Sequence, residues 1–600
     1  MIACLLHRFQ TIFGTIEKHR RVAVAQSQIP VHYLGTLMNQ SCRLALAAFL
    51  GAATSLLAAE SPAPPPKAAL DAIDAGDLLK HIKVLAADEY EGRAPGSKGE
   101  ELTVKYLTEQ FKALGLKPGN PNGSYTQDIP LAGIITHPTA SFTSKGETMK
   151  LKFPDDYVAT SARLQEEIKI ENSDMVFVGY GVVAPEFGWD DYKDVDVKGK
   201  TIVMLINDPA IPDPADPTKL GPKMFKGRAM TYYGRWTYKY EIAAAKGAVA
   251  AVIIHETEPA AYPYSVVKSS WADENFELDA ANKNMDQVQV RSWITLETAT
   301  KLIADSGFDF EELKKSALSK AFRPVPLTTK ANFALQQKIR SFKSHNVVGK
   351  IEGSDPKLKD EWIMYTAHWD HLGKNPDVAG DNIYNGALDN ASGVAAILEL
   401  AQAHTKLPKA TKRSVLIMAT TAEESGLLGA KFYAEHPLYP LEKTLADINI
   451  DGTSVWGKTK DLEDISDGNS TLDDMLGEAA KRHGRVMTPN SKPERGSFYR
   501  ADHFEFSKLG LPALYTGRGL NFIGKPAEFG QQKMEDYVAH IYHQPSDQVD
   551  PGWDLSGAAE DIQLMFEVGY EVANGDKFPE WNPGTEFKAK REEMLRKKQP

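Results

Sequence analysis

Cysteine is nearly absent from this 600-residue chain: there are two, Cys4 and Cys42, both ahead of residue 60. Whatever folds beyond them cannot be stapled by disulfides. An excess of basic residues is missing too. Sixty-nine Lys and Arg face eighty Asp and Glu, a net charge of −11. That balance argues against a nucleic-acid binder relying on a broad basic surface. Past residue 60 no run approaches 18 uninterrupted apolar residues, so nothing there is built to span a bilayer. Hydrophobic residues at 42% and charged residues at 25% match folded globular chains and exclude a disordered or fibrous one. The length implies two to four domains.

What is present begins with a leader-like stretch. From Met38 the chain reads MNQSCRLALAAFLGAATSLLAAESPAPPP. Arg43 supplies a short positive region, and Leu44–Leu57 is an apolar run too short to cross a membrane comfortably. Ala58 and Ala59 are small enough for signal-peptidase cleavage, and prolines follow. A signal peptide over about 38–59 is expected, with Met38 as the true start. The mature protein is then periplasmic or secreted, with no stable membrane insertion. Cys42 precedes the apolar run, so a lipid anchor at its end is not indicated.

Changes in texture suggest boundaries. Segment 1–59 is the leader and 60–67 a Pro-rich linker. Residues 68–164 hold a helical stretch over Ala68–Ala87, a second helix from Gly99 to Gly115, and short strand-like runs rich in Gly, Pro and Thr. Residues 165–325 carry continuous apolar strands at Met175–Val183 and Thr201–Ile206, a helix near Tyr238–Lys246 and the strand AVAAVIIH. That is a small α/β module of its own. Residues 326–575 alternate strands (NVVGKIEG, WIMYTAH, RSVLIMATTAEE, ADINIDG, LPALYTG) with helices such as Gly393–His404. The expected fold class is therefore α/β, with a mixed, mostly parallel sheet flanked by helices and a smaller α/β module inserted in it. Residues 576–600 read as a solvated polar tail.

Ligands in such sheets gather at the carboxyl ends of strands, and the residues there are suggestive. WIMYTA ends in His368-Trp369-Asp370-His371. Asp389 follows in the next loop, Glu423-Glu424 end another strand, Asp451 ends a third, and His543 sits on a late loop. Imidazole and carboxylate suit Zn²⁺. Two His and three carboxylates can hold two zincs if one carboxylate bridges. A further carboxylate outside that set can take a proton from the attacking water. Alone each piece is weak: an acidic pair is more often a solvated helix start, and Asp389 before Asn390-Ala391-Ser392-Gly393 could simply cap a helix. Their joint occurrence in one α/β segment reverses those odds.

The successive motifs TAHWDHLG, NGALDNASGVAAILELA, TTAEESGLLGA, NIDG and HQPSDQ resemble those of metallopeptidase family twenty-eight, over about 340–575. EYEGRAPGSKGEELTVKYLTEQFKALGLKP resembles that family's opening segment, and about 165–325 resembles a protease-associated domain. The resemblance implies a zinc-peptidase (phosphorylase/hydrolase-like) fold and an aminopeptidase acting on peptides with two Zn²⁺ per chain. It implies Asp389 as the bridge, His368 and Asp451 on one zinc, Glu424 and His543 on the other, and Glu423 as general base. Asp370 would hold the ring of His368, and a cis peptide would follow Asp389. SFYRADHFEFSKLGLPALY adds Tyr499, Asp502 and His503 as substrate- or oxyanion-side candidates. A glutamate-carboxypeptidase-like or dipeptidase activity is an alternative that would call on arginines such as Arg495, Arg500 and Arg518. A glutaminyl cyclase ranks lower, and a transferrin-receptor-like binding module is the non-enzyme alternative. Oligomeric state is left open.

Overall fold

The structure is a computed structural model that describes residues 63–596 except 273, 377 and 577. The leader and its expected signal peptide lie outside the described residues. The expected helix over Ala68–Ala87 is two pieces, a turn at Lys67–Leu70 and helix α1 at Ala75–Leu85. Asp74 divides them, because its carboxylate caps α1 by accepting from the N–H groups of Gly76 and Asp77. Helix α2, Lys98–Ala113, starts on the Ser97 hydroxyl. The Gly/Pro/Thr-rich stretch then departs from expectation. It contains one 19-residue strand, β1 (Thr126–Ser144), rather than only short runs.

Strands β2 (Tyr157–Thr160), β3 (Glu167–Phe177), β4 (Thr201–Leu205), β5 (Ala250–Ile254) and β6 (Val290–Ile294) follow, with helix α3 (Trp236–Ala245) between β4 and β5. Next comes the longest strand, β7 (Val325–Ile351), which pairs antiparallel with β1 from Lys330↔Thr143 to Val347↔Thr126. Beyond it the chain alternates: β8 (Trp362–His368), α4 (Ser392–Thr405), β9 (Ser414–Thr420), α5 (Leu428–Glu435), β10 (Thr444–Asn449), α6 (His503–Lys508), β11 (Ala513–Tyr515), α7 (Phe529–His540), α8 (Ser556–Asn574) and α9 (Lys588–Arg596).

The main path of the sheet runs β11-β10-β8-β9-β7-β3-β4-β5-β6-β2. The four strands β11, β10, β8 and β9 are mutually parallel, as are β3, β4, β5 and β6. Strand β7 joins the two runs by antiparallel pairing to β9 and β3. Parallel strands covered on both faces should be apolar throughout, and β4, β5, β8, β9 and β10 are buried at every residue. Along β8, Ile363, Tyr365 and Ala367 enter the core under α1, α4 and α8. Trp362 and Met364 enter the opposite one, with Ala430 and Tyr433 of α5 and Phe506 of α6.

Of the segment 576–600, expected as a solvated tail, the described residues from Trp581 to Arg591 dock on the body instead. Trp581 and Phe587 join Phe498, Tyr499 and Phe504 in one buried aromatic cluster. Arg591 donates to the carbonyls of Leu441 and Thr444 at 3.1 and 2.9 Å. The segment's polar composition hides two large anchors. Among the described residues no helix is long and apolar enough to cross a membrane.

Candidate metal centre

Because β10, β8 and β9 run parallel, their carboxyl ends open on one edge, and the sequence-marked residues meet there. His368 is the last residue of β8, Glu423 and Glu424 follow β9, and Asp451 follows β10. Asp389 lies in the irregular turn before α4, where its peptide bond to Asn390 is cis, as expected. His543 comes in from the loop after α7. Gly393 lets the turn approach β10: a Cβ there would stand 2.2 Å from Asn390 Oδ1 and 2.5 Å from the Ile450 carbonyl.

The two oxygens of Asp389 face different neighbours. Oδ1 lies 3.3 Å from His368 Nε2, which is also 3.3 Å from Asp451 Oδ1. Oδ2 lies 3.1 Å from His543 Nε2, which is 3.0 Å from Glu424 Oε2. Metal bonds of 2.0–2.2 Å at tetrahedral angles put neighbouring ligand atoms about 3.3 Å apart. The four separations fit that spacing. Glu423 stands off, its Oε2 3.9 Å from His368 Nε2.

Electrostatics favour a cation as well. Burial opposes charge on His368, but Glu423, Asp389 and Asp451 outweigh it and hold the ring's pKa well above the ordinary range. Burial opposes charge on His543 too, and Glu424 and Asp389 outweigh it. Burial pushes the Glu423 carboxyl well above the usual carboxylate range, and Glu424 and Asp451 add to this against the pull of His368. A buried cluster so rich in carboxylates needs positive charge to persist.

Four candidates behave differently from expectation. His368 Nδ1 meets the backbone carbonyl of Asp370 at 3.2 Å, while the Asp370 carboxylate is 3.8 Å away. That carboxylate instead accepts the Glu423 N–H at 3.0 Å, so it orients the Glu423 backbone rather than the ring. Tyr499 turns its hydroxyl to Glu586 Oε1 at 2.6 Å, which engages the donor expected for an oxyanion. His503 is fully buried, packed between Phe498 and Tyr515. Asp502 is buried too and accepts from the Thr420 hydroxyl at the end of β9.

These positions match a known family. The profile of peptidase family M28 matches residues 346–566. The chain carries a peptidase family M28 domain. Aminopeptidase YwaD of Bacillus subtilis is 30% identical over 213 residues, 34% of this chain and 40% of that protein. A vacuolar membrane protease of Lachancea thermotolerans is 32% identical over 123 residues, 20% of this chain and 11% of that protein. The chain thus spans less than half the length of these relatives. Among solved structures, an aminopeptidase from Aneurinibacillus sp. strain AM-1 overlaps with a TM-score of 0.47 at 19% identity, covering 85% of this chain and 97% of that one.

The M28 domain also gathers residues that sequence reading passed over. His371, at the end of HWDH, sets Nδ1 2.6 Å from Glu424 Oε1. Asp547, inside HQPSDQ, accepts the N–H groups of Leu388 and Asp389, each at 3.0 Å. Both lay within quoted motifs, and that adjacency was the available signal. Arg93 donates to the carbonyls of Leu85, Trp369, Asn385 and Gly386, tying the turn after β8 to the loop before Asp389. Arg235, just before α3, reaches this neighbourhood from the inserted segment. Burial, then the charge of Arg500, lowers its pKa to about 9, against Tyr262, Tyr542 and Glu423. Arg93 lies within EYEGRAPGSKGEE, which offers the same signal, whereas nothing in one sequence marks Arg235.

Proposed function

We propose that this chain is an exported di-zinc aminopeptidase, with Glu423 as its general base. The observation that carries the reading is Asp389, whose two oxygens face two separate His–carboxylate pairs. His368, Asp389 and Asp451 would hold one zinc, and Asp389, Glu424 and His543 the other. Zinc bound there supplies Lewis acidity and lowers the pKa of a coordinated water. Glu423, oriented through its backbone by Asp370, accepts the proton of the attacking water on a carboxylate oxygen and returns it to the departing amine. The leader at 38–59 supports export to the periplasm or beyond, and residues 165–325, read as a protease-associated domain, restrict access to the site.

A second reading, a dipeptidase or glutamate-carboxypeptidase-like enzyme at the same site, rests on Arg235 and Arg500. Arg235 Nε and Arg500 Nε and Nη2 are buried and meet no hydrogen-bond partner among the described residues. Paired guanidiniums with free donors suit a substrate carboxylate.

One comparison separates the readings. The zinc-loaded protein is given leucine p-nitroanilide, the dipeptide Leu-Gly and Leu-Gly amide, each with and without excess chelator. Chelator-sensitive release of nitroaniline, with Leu-Gly and its amide cleaved alike, is the aminopeptidase result. Cleavage of Leu-Gly at least tenfold faster than its amide, with little nitroaniline, selects the carboxylate-reading enzyme. No hydrolysis of any of them by protein that holds zinc rejects both.

A further inference from the structure

Within the proposed second metal site, one contact does not follow the spacing of the others. The separations around Asp389 and His543 are 3.0–3.1 Å, close to the edge of a metal polyhedron. His371 Nδ1 stands 2.6 Å from Glu424 Oε1, too close for two atoms ligating one ion and right for a charge-assisted hydrogen bond. His371, Asp389 and Glu424 nonetheless lie near enough together to pass as a ligand set. The 2.6 Å contact is what assigns His371 a different part.

We propose that His371 is a positioning residue: its Nδ1–H binds Glu424 Oε1, so that only Oε2 is left to face the second metal together with His543 and Asp389. The surroundings hold the ring in place. His371 is 1% exposed. A Cβ on Gly386 would stand 2.6–2.7 Å from its ring atoms, so the loop backbone presses directly on the imidazole. The ring also meets that of His543 edge-on, with centroids 5.7 Å apart. Its Nε2 is buried with no hydrogen-bond partner among the described residues. A proton there would be a buried donor without an acceptor, whereas one on Nδ1 meets the Glu424 carboxylate. Fixing one oxygen of a ligating carboxylate keeps it from swinging to bind through both. No such donor meets Asp451 at the first site, apart from His368 itself, among the described contacts. The two metals would therefore depend on His371 unequally.

This rests on the di-zinc reading, and the test keeps the two apart. Metal-free wild type, His371→Leu and His371→Asn are titrated with zinc against a competing chromophoric chelator, and their thermal melts are recorded without metal. Wild type should take up two zincs. His371→Leu should keep one affinity and lose roughly 10- to 100-fold in the other. His371→Asn, which returns an N–H near the place of Nδ1, should recover most of that loss. Unchanged affinities in His371→Leu would overturn the proposal. So would equal weakening by Leu and Asn, which is the mark of packing alone. Complete loss of one zinc in both variants would make His371 a ligand instead. If His371→Leu does not fold, His371→Asn against His371→Gln carries the comparison, since glutamine sets its N–H one methylene further out. Wild type binding fewer than two zincs would sink the di-zinc reading and this role with it.

Discussion

Glu423 and Glu424 are neighbours in the chain and part company in space. Glu424 sends Oε2 to His543 and Oε1 to His371, while Glu423 stays 3.9 Å from His368 Nε2. Ala422 just before them has a φ of 54°, a conformation uncommon for a residue with a side chain. Glu423→Gln keeps the shape and removes the proton acceptor. On the proposed mechanism kcat falls by about 10²- to 10⁴-fold, while zinc uptake, read by chelator titration, stays at the wild-type value. A near-normal rate would transfer the base role elsewhere, and a lost zinc would make Glu423 a ligand. His368, Glu423 and Glu424 do lie close enough to hold an ion together, so the zinc count is the discriminating half of the measurement.

At the scale of elements, the turn carrying Asp389 and the end of β10 carrying Asp451 are locked by one side chain. Asn390 Oδ1 accepts from the N–H groups of Gly393 and Gly452, and its Nδ2 donates to the Ile450 carbonyl. Gly393→Ala drives a methyl into that junction, against Asn390 Oδ1 and the Ile450 carbonyl. Overpacking of this kind costs about 1–3 kcal/mol. The variant should melt lower without metal and bind zinc more weakly, because both segments face His368. An unchanged melting temperature would show that the junction yields freely. The strands that build this junction were legible in the sequence: WIMY and VLIMA are apolar without a break, as expected of strands covered on both faces. The candidate ligands were legible because each closes such a strand or lies in the loop beside it. The long β1–β7 pairing was not, since Pro130, Gly133 and Pro138 interrupt β1 and its partner alternates polar and apolar residues on a half-covered surface. Tyr499 misled for another reason. Its motif fixed its place in the chain, whereas its hydroxyl follows Glu586, 87 positions away.

Across the whole molecule, β7 links the strands of the M28 match to those of residues 165–325, and the C-terminal segment packs against the aromatic cluster around α6. Strand β7 pairs with β9 at one end and with β3 nearer the other, so excising residues 165–325 would strip part of β7 of its partner. The C-terminal segment can be tested more cleanly. Trp581 is 1% exposed, donates its indole N–H to the Gly510 carbonyl at 2.8 Å and packs on Phe587 at 4.9 Å. The cluster it joins includes Phe504 of α6, the helix that begins at His503 beside Asp502, whose carboxylate meets Thr420 at the end of β9. Trp581→Ala should cost about 3–5 kcal/mol, as for other buried large-to-small changes, and leave the Gly510 carbonyl short of its donor. Equilibrium urea unfolding of the metal-free protein reads this directly, with exposed Lys590→Ala as the comparison. A change within about 0.5 kcal/mol, the range of ordinary surface substitutions, would mean the segment rests on the body without supporting it. A full loss of stability, with turnover falling alongside it, would make these residues a structural floor for the strand ends that carry the site.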